Sequence, residues 1–234
     1  MTSQLSYEAP EVTERIAVDS ERGREQTKCP SYQYERLPEG DHIRTLVLQP
    51  GSGDEPLRCD LNISEMNKVT FEAISYVWGS KTKDREIFCN GQVIPITTNL
   101  WTVLRHVRSD SPRVLWADSI CIDQEHFEEK AHQVAMMGRI FRSAERVLIY
   151  ISDDDKGHGE HVSSLLDDMR DMIESGLKQA GSVRDAFPYP SDAAPILKDS
   201  RWKSYSRLIR KSWFGRGWVR TPTNGKCESH VLIL

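Results

Sequence analysis

Phe71-Glu-Ala-Ile-Ser-Tyr-Val-Trp-Gly79 contains the pattern from which the fold is predicted, and a later segment, Leu115-Trp-Ala-Asp-Ser-Ile-Cys-Ile-Asp-Gln124, repeats this pattern. In each, a short apolar run suited to a buried strand is followed by polar and aromatic side chains. Open α/β sheets form their ligand crevice from side chains at the carboxyl ends of such strands. The alternative is that Asp118 and Asp123 only cap turns and bind no ligand.

The order of the other elements predicts the fold class. Apolar residues in 43–48 and 147–151 indicate further strands, whereas those in 100–107 recur at helical spacing. Strands that alternate with helices favour an α/β fold with a mostly parallel sheet and helices on both faces. Continuously apolar strands are typical of buried parallel sheets, so we expect 71–77, 114–117 and 147–151 to be parallel neighbours in one sheet.

Two local elements can be placed along the chain. A β-hairpin is predicted over residues 85–96, at the edge of the sheet, because Asn90-Gly91 best tolerates the positive φ angles of a tight hairpin turn. A helix is predicted from Asp123 to about Ser143. Its expected buried stripe consists of apolar residues at helical spacing: Phe127, Ala131, Val134, Met137 and Phe141.

Composition and charge indicate a soluble protein without a nucleic-acid or membrane partner. Of the 234 residues, 38% are hydrophobic and 28% are charged, which suits one domain with appendages. The net charge of −4 argues against binding to nucleic acid, since neutralising phosphates needs clustered cations. The basic residues in 201–211 are predicted to form a solvated helix face. No apolar run could span a membrane and no signal peptide is recognised, so a cytoplasmic location is expected.

The cysteines favour neither a disulfide framework nor a structural zinc site. They are odd in number, widely separated and never spaced as Cys-x-x-Cys: Cys29, Cys59, Cys89, Cys121 and Cys227. A reducing compartment is therefore expected. Acidic residues in 118–125 would raise the pKa of the Cys121 thiol, so this cysteine is predicted to pack rather than to act as a nucleophile.

The motifs of this chain occur in the order of one known family. An aromatic-Glu-Ala-x-Ser-Tyr-Val-Trp-Gly block, an Asn-Gly hairpin, a Trp-Ala-Asp-x-Ile-Cys-Ile-Asp-Gln block and a Trp-Phe-x-Arg-x-Trp-Val block follow one another. The residues that carry the pattern are Tyr34, Leu37, Ile43-Arg44, Pro50-Gly51, 71–79, Asn90-Gly91, Asn99-Leu100, 116–124, Glu129-Lys130, Gln133-Val134, Met137 and 213–219. Over about residues 34–219 the chain resembles the fungal heterokaryon-incompatibility (HET) domain family.

The resemblance implies a division of the chain and a fold. The HET domain would span 31–219, with its core at 68–219, and its relation in fold to Toll/interleukin-receptor (TIR) domains implies a flavodoxin-like sheet. Residues 1–30 are polar and lack a hydrophobic period, so they are predicted to be a disordered tail. After Val219 the sequence departs from the family pattern. Residues 220–234 are predicted to be a divergent tail that packs poorly, as in a truncated family member.

The resemblance also implies a role in fungal non-self recognition and programmed cell death. If the domain is an enzyme, it would cleave NAD or a related nucleotide, as some TIR relatives do, without a further cofactor. Glu129 matches the family's Glu-Arg position, with Lys130 in place of Arg, and its carboxylate would stabilise the positive charge that develops on the ribose. The alternative for Glu129 is an exposed residue on a helix face, which contributes little to stability.

Five residues are predicted to bind the nucleotide: Trp78, Gly79, Asp118, Asp123 and Gln124. Trp78 would stack on a base, and Gly79 would let the backbone approach a phosphate. Either aspartate would bind ribose hydroxyls. The alternatives are an aromatic side chain in the core and carboxylates that cap turns. Together with His126 and Glu129, the two aspartates match no standard metal-ligand spacing, so no metal site is expected.

A second class of function is a non-catalytic death-signalling module that works by self-association, or an inactive truncated member of the family. Either an enzyme or a signalling module would depend on an upstream recognition protein, which the sequence does not identify. An enzyme needs the Glu129 carboxylate free in a cleft with Asp118 and Trp78, whereas an interaction module does not. The surroundings of this carboxylate therefore separate the two classes.

Overall fold

A computed structural model describes residues 30–153, 157–180, 191, 194–215 and 230–233. In this part of the chain the strands are β1 (His42–Leu48), β2 (Arg58–Glu65), β3 (Glu72–Ser75), β4 (Arg85–Cys89), β5 (Gln92–Ile96), β6 (Arg113–Trp116), β7 (Arg146–Ile149) and β8 (His230–Ile233). The α-helices are α1 (Thr98–Val107), α2 (Asp118–Cys121), α3 (Phe127–Ser143), α4 (His158–Ala180) and α5 (Trp202–Leu208). Short 3-10 helices occupy Met66–Lys68, Pro195–Lys198 and Ser212–Gly215.

One half of the sheet is a parallel block. The full strand order is β5-β4-β2-β1-β6-β3-β7-β8, and the last four strands are parallel neighbours. Along the chain these four come as β3, β6, β7 and β8, so their spatial order is 2-1-3-4, as at the start of a flavodoxin-like sheet. The prediction that 71–77, 114–117 and 147–151 contribute adjacent parallel strands is confirmed, and so is the α/β class.

The other half of the sheet is mixed. Strand β1 pairs antiparallel with both β6 and β2, and β2 pairs in parallel with β4. The β4–β5 hairpin lies at the sheet edge, as predicted. Strand β2 has no counterpart among the predicted elements, because Asp60 and Asn62 interrupt its apolar residues. The alternation of Cys59, Leu61 and Ile63 with these polar residues is nevertheless typical of a half-buried strand.

The Asn90-Gly91 turn has the backbone geometry that its sequence predicts. Asn90 has a φ of 48° and Gly91 a φ of 77°, so both lie in the left-handed region. The Asn90 side chain also accepts a hydrogen bond of 3.0 Å, through Oδ1, from the backbone N–H of Leu61. The turn therefore both closes the hairpin and attaches it to β2.

The sheet is covered on both faces. Strand β1 contains four consecutive buried residues, 43–46, and successive side chains of a strand point to opposite faces. At the end of β6, Trp116 is fully buried and packs edge-on against Phe141 of α3, with ring centroids 5.5 Å apart. Trp116 is therefore a core residue, as expected for a sheet with two buried faces.

Helix α3 buries a different face from the predicted one. Its buried residues are Gln133, Met136 and Ile140. By contrast, Phe127 is 82% exposed and Val134 is 52% exposed, so the predicted stripe is wrong for the first half of the helix. Met137 and Phe141, its last two residues, are partly buried against the core, as predicted. Gln133 Nε2 donates a hydrogen bond of 2.8 Å to the backbone oxygen of His42, which holds this polar residue against the start of β1. The helix thus has one face fixed on the sheet and an apolar stripe on its outer side.

Of the two predicted tails, the structure describes mainly the segment 230–233. Residues 1–29 and 216–229, which include most of the two predicted tails, lie outside the described residues. Residues 230–233 form β8, which pairs with β7 in parallel, a strand that the sequence did not predict. Within the described ranges, no helix is both long and apolar enough to cross a membrane.

Candidate functional site

Polar residues that follow β3 and β6 come together at one edge of the sheet. The two strands are parallel neighbours, with Ala73 opposite Trp116, so their carboxyl ends lie side by side. Trp78 Nε1 donates a hydrogen bond of 2.8 Å to Asp118 Oδ1. Asp118 is 8% exposed, whereas Trp78 is 38% exposed, so this tryptophan does not belong to the core. Its indole is fixed at the nitrogen by this bond, while more than a third of the residue is exposed.

Gln124 joins the same corner of the molecule. Its Nε2 donates hydrogen bonds to the backbone oxygens of Asp118, at 2.8 Å, and Ile122, at 3.3 Å. Its Oε1 is buried and has no hydrogen-bond partner in the described part of the chain. A buried acceptor without a donor is costly, and a ligand that donates a hydrogen bond would remove that cost. We call Trp78, Asp118 and Gln124 the strand-end cluster.

Gly79 meets a local steric requirement. Its φ is 71°, and a Cβ built there would lie 2.7 Å from Nδ2 of Asn99. That amide nitrogen donates a hydrogen bond of 3.0 Å to the backbone oxygen of Val77, which fastens the start of α1 to the segment after β3. The packing of Asn99 is therefore sufficient to explain a glycine here, without a phosphate.

Asp123 lies in the turn between α2 and α3. Its Oδ1 accepts a hydrogen bond of 3.1 Å from the N–H of Glu125, and its own N–H donates one of 2.8 Å to Oε1 of Glu129. These bonds are those of a residue that caps a turn. Because α2 and this turn take up the preceding residues, α3 begins at Phe127 and the predicted start at Asp123 is too early.

Glu129 is not the exposed residue that its helical position suggested. Arg44 of β1 binds its carboxylate with both terminal nitrogens, Nη1 on Oε1 and Nη2 on Oε2, the second bond being 2.9 Å long. The side chains are 1% exposed for Arg44 and 9% exposed for Glu129, so the ion pair is buried. Together with the N–H of Asp123, three donors hold this one carboxylate.

Arg44 is a site residue to which the sequence assigned no chemical role. Its guanidinium also donates to the backbone oxygens of Glu35 and Cys121, the second at 3.3 Å, and lies over the ring of Tyr34 at 5.0 Å from the centroid. The sequence does contain one sign of this role, because Arg44 is a charged residue inside the apolar run 43–48. A charge buried in a strand needs a partner of opposite charge. That signal predicts a partner but not which residue it is.

The ion pair is charged at neutral pH. Burial acts to raise the pKa of Glu129, but hydrogen bonds from Arg44 and from the Asp123 N–H outweigh it, and the pKa lies below its ordinary value. For Arg44, burial acts to lower the pKa, and the Glu129 carboxylate raises it above the ordinary value. Glu129 is thus ionised, as a group that stabilises a cation must be. To interact with a ribosyl cation, however, its carboxylate would have to give up some of its hydrogen bonds to Arg44 and Asp123.

Cys121 is an unreactive thiol, in agreement with its predicted packing role. It is fully buried, and burial raises its pKa to about 12. Its Sγ accepts a hydrogen bond of 3.4 Å from the N–H of Ala117. A thiol needs an ionised form and access to act as a nucleophile, and Cys121 has neither. Among the described residues no three metal-ligating side chains come close enough together to hold an ion.

The family of the chain follows from its comparison with known proteins. The family model for "Heterokaryon incompatibility protein (HET)" matches residues 71–220. The chain belongs to the HET family. It is 30% identical over 211 residues to heterokaryon incompatibility protein 6, OR allele, of Neurospora crassa. That alignment covers 76% of this chain and 31% of the Neurospora protein. No solved structure gives a significant match. The matched HET segment contains the strand-end cluster and Glu129, whereas Arg44 precedes it.

The Arg44–Glu129 pair makes a specific prediction about stability. Glu129→Gln should lower the free energy of unfolding by about 3 kcal/mol, because it leaves the buried Arg44 charge without its counter-charge. Glu128→Gln, at the exposed neighbouring position, should change it by less than about 0.5 kcal/mol. Urea unfolding followed by tryptophan fluorescence measures both variants. Equal losses in the two would contradict a specific role for the pair.

A second prediction compares two glycines of similar backbone geometry. Gly79 and Gly91 have φ angles of 71° and 77°. Either change to alanine should therefore cost about 1–2 kcal/mol of backbone strain. At Gly79 the new Cβ would also displace Asn99, while at Gly91 nothing lies within 4 Å. Thermal unfolding should show a loss larger by about 1 kcal/mol for G79A, the net value of one hydrogen bond. A G91A variant that is the less stable of the two would refute this account.

Proposed function

We propose that this chain is a signalling domain of fungal heterokaryon incompatibility, the non-self recognition that ends in programmed cell death, and that it acts by self-association. Membership of the HET family supports the incompatibility role. An upstream recognition protein would supply the trigger. The Glu129 carboxylate is already bound by Arg44 and the Asp123 N–H, which favours signalling over catalysis. Self-association is supported by the exposed outer face of α3.

The outer face of α3 is apolar although it is exposed. It consists of Phe127, Ala131, Val134, Ala135 and Gly138, all of which are exposed. Their spacing places them along one side of the helix, opposite the buried Gln133, Met136 and Ile140. An exposed apolar stripe on a helix is typical of a surface that binds another protein. Small residues in its middle would let a second helix approach closely.

A second copy of the chain fits this face. If two α3 helices crossed antiparallel about a two-fold axis between Val134 and Ala135, Ala131 of one copy would meet Gly138 of the other. The acidic first turn of each helix, with Glu128, would then lie beside the basic last turn of the other, with Arg142. The apolar stripe and the charges at its two ends are thus self-complementary.

Self-association predicts the behaviour of one charge substitution. Val134→Glu should weaken association of the full chain by tenfold or more, because it places a charge in the middle of the contact; tenfold corresponds to about 1.4 kcal/mol. Ser163→Glu adds the same charge at an exposed position of α4 and should change nothing. Sedimentation velocity over a concentration series measures both variants. A wild-type chain that stays monomeric up to about 100 μM, well above ordinary affinities, would contradict the proposal.

A second candidate function, cleavage of NAD or a related nucleotide, is favoured by the strand-end cluster. In open α/β sheets the ligand crevice lies at the carboxyl ends of the strands, and this cluster lies at the carboxyl ends of β3 and β6. Trp78 follows β3 and is 38% exposed. In this candidate Trp78 would support the base, and Gln124 Oε1 would accept a hydrogen bond. The predicted roles of Gly79, Asp118 and Asp123 on phosphate and ribose, and of Glu129 on the ribosyl cation, would complete the site.

Release of nicotinamide separates the two candidates. If the chain signals by association, purified wild-type protein incubated with NAD should release no nicotinamide above the buffer blank, and cell death on overexpression should be lost in V134E. Release that falls about 10²–10³-fold in E129Q, and not in E128Q, would instead favour the enzyme. Because E129Q is also expected to unfold more easily, Asp118→Asn serves as a second variant that leaves the Arg44 pair intact.

A further inference from the structure

The geometry points to a reversible disulfide site between Cys59 and Cys89, closed by a two-electron oxidant such as hydrogen peroxide. Such a bond would fasten the edge hairpin to the rest of the sheet. None of its residues belongs to the strand-end cluster or to the outer face of α3, so it does not depend on the proposed function.

The two cysteines are placed opposite each other by strand pairing. Cys59 of β2 and Cys89 of β4 are register partners in a parallel pair, so their side chains leave the sheet on the same face. Neighbouring strands lie about 4.7–4.9 Å apart. That spacing falls within the range of about 4.4–6.8 Å between Cα atoms that a disulfide spans. Both thiols are free and buried. A bond between them would therefore need little backbone movement.

The two thiols have complementary roles. The interaction between them raises the pKa of Cys59 and lowers the pKa of Cys89. The Cys89 S–H also donates a weak hydrogen bond of 3.6 Å to Oδ1 of Asn90. The thiolate, rather than the thiol, is the nucleophile in sulfur chemistry. Cys89, with the lower pKa, is therefore the sulfur that would react first with an oxidant. Cys59, held against it, is then in position to resolve the oxidised intermediate.

The reaction balances with one peroxide molecule. The Cys89 thiolate attacks one peroxide oxygen and breaks the O–O bond, which gives a sulfenic acid and hydroxide; the proton lost from Cys89 converts the hydroxide to water. The Cys59 sulfur then attacks the Cys89 sulfur and displaces its hydroxyl, which leaves as a second water with the proton of Cys59. Two thiols and one peroxide become one disulfide and two waters, and a dithiol reductant reverses the change.

The position of the site gives the bond an effect on the fold. The β2–β4 pairing is two residues long, Arg58 with Phe88 and Cys59 with Cys89, and it joins the hairpin to the other strands. A short strand pairing next to the edge hairpin opens more readily than the core, and such opening would expose the buried thiols to the oxidant. Once formed, the disulfide would close the same joint covalently and restrict further opening.

The test uses the full wild-type chain. After peroxide treatment and alkylation, peptide mapping by mass spectrometry should find Cys59 linked to Cys89, and the free-thiol content should fall by two per chain. The oxidised protein should melt about 5 °C higher than the reduced protein, and a dithiol should restore the lower value. Cys89→Ala should abolish the linkage and the shift.

Other outcomes would overturn the proposal. Peroxide-treated protein without the Cys59–Cys89 linkage, or with Cys59 or Cys89 linked to another cysteine, would contradict the site. A linkage that leaves the melting temperature unchanged or lowers it would contradict the effect on the hairpin. Cys121→Ala is the matched control, since it removes a buried thiol outside the pair. If C121A lost the linkage, the bond would not be a property of the β2–β4 joint.

Discussion

A buried ion pair between Arg44 and Glu129 connects the elements that carry the candidate site. Burying two charges is costly, and the cost is met only where the geometry is good and the remaining donors are also bonded. Here both carboxylate oxygens are engaged, and the two terminal nitrogens of the guanidinium also reach the backbone of Glu35 and Cys121. The Nε of Arg44 is buried without a hydrogen-bond partner among the described residues. The pair thereby fastens β1 to the segment between β6 and α3, which carries Asp118 and Gln124.

Helix α3 brings the two candidate functions onto one element. Its first turn carries Glu129, inside the molecule, while Phe127 and Val134 lie on its outer face. A ligand that drew Glu129 away from Arg44 would loosen the same turn from which the outer stripe begins. A second copy that bound the stripe would hold that turn in place. Ligand binding and association would therefore act on each other through this helix, whichever of them carries the signal.

The sequence predicts what local pattern encodes and misses what depends on distant packing. The apolar runs of β1, β3, β6 and β7 and the Asn90-Gly91 turn place four strands and the hairpin correctly, and the strand ends bring Trp78 next to Asp118. The partner of Arg44 lies 85 residues away, so no local period could reveal it. Helix α3 carries two possible buried faces, and the bond from Gln133 to β1 decides between them only after the sheet has formed.

The edge hairpin has a consequence for how these chains behave at high concentration. A bare edge strand offers a row of unpaired backbone groups to which a further chain can add, which is how fibres begin. On β5 that row is interrupted. The backbone N–H and oxygen of Val93 are bonded to Pro30 and Tyr32, and Pro95 has no N–H to offer. Strand addition is therefore blocked at this edge of the sheet. Copies of the chain can come close together there at high concentration without forming intermolecular β-sheets.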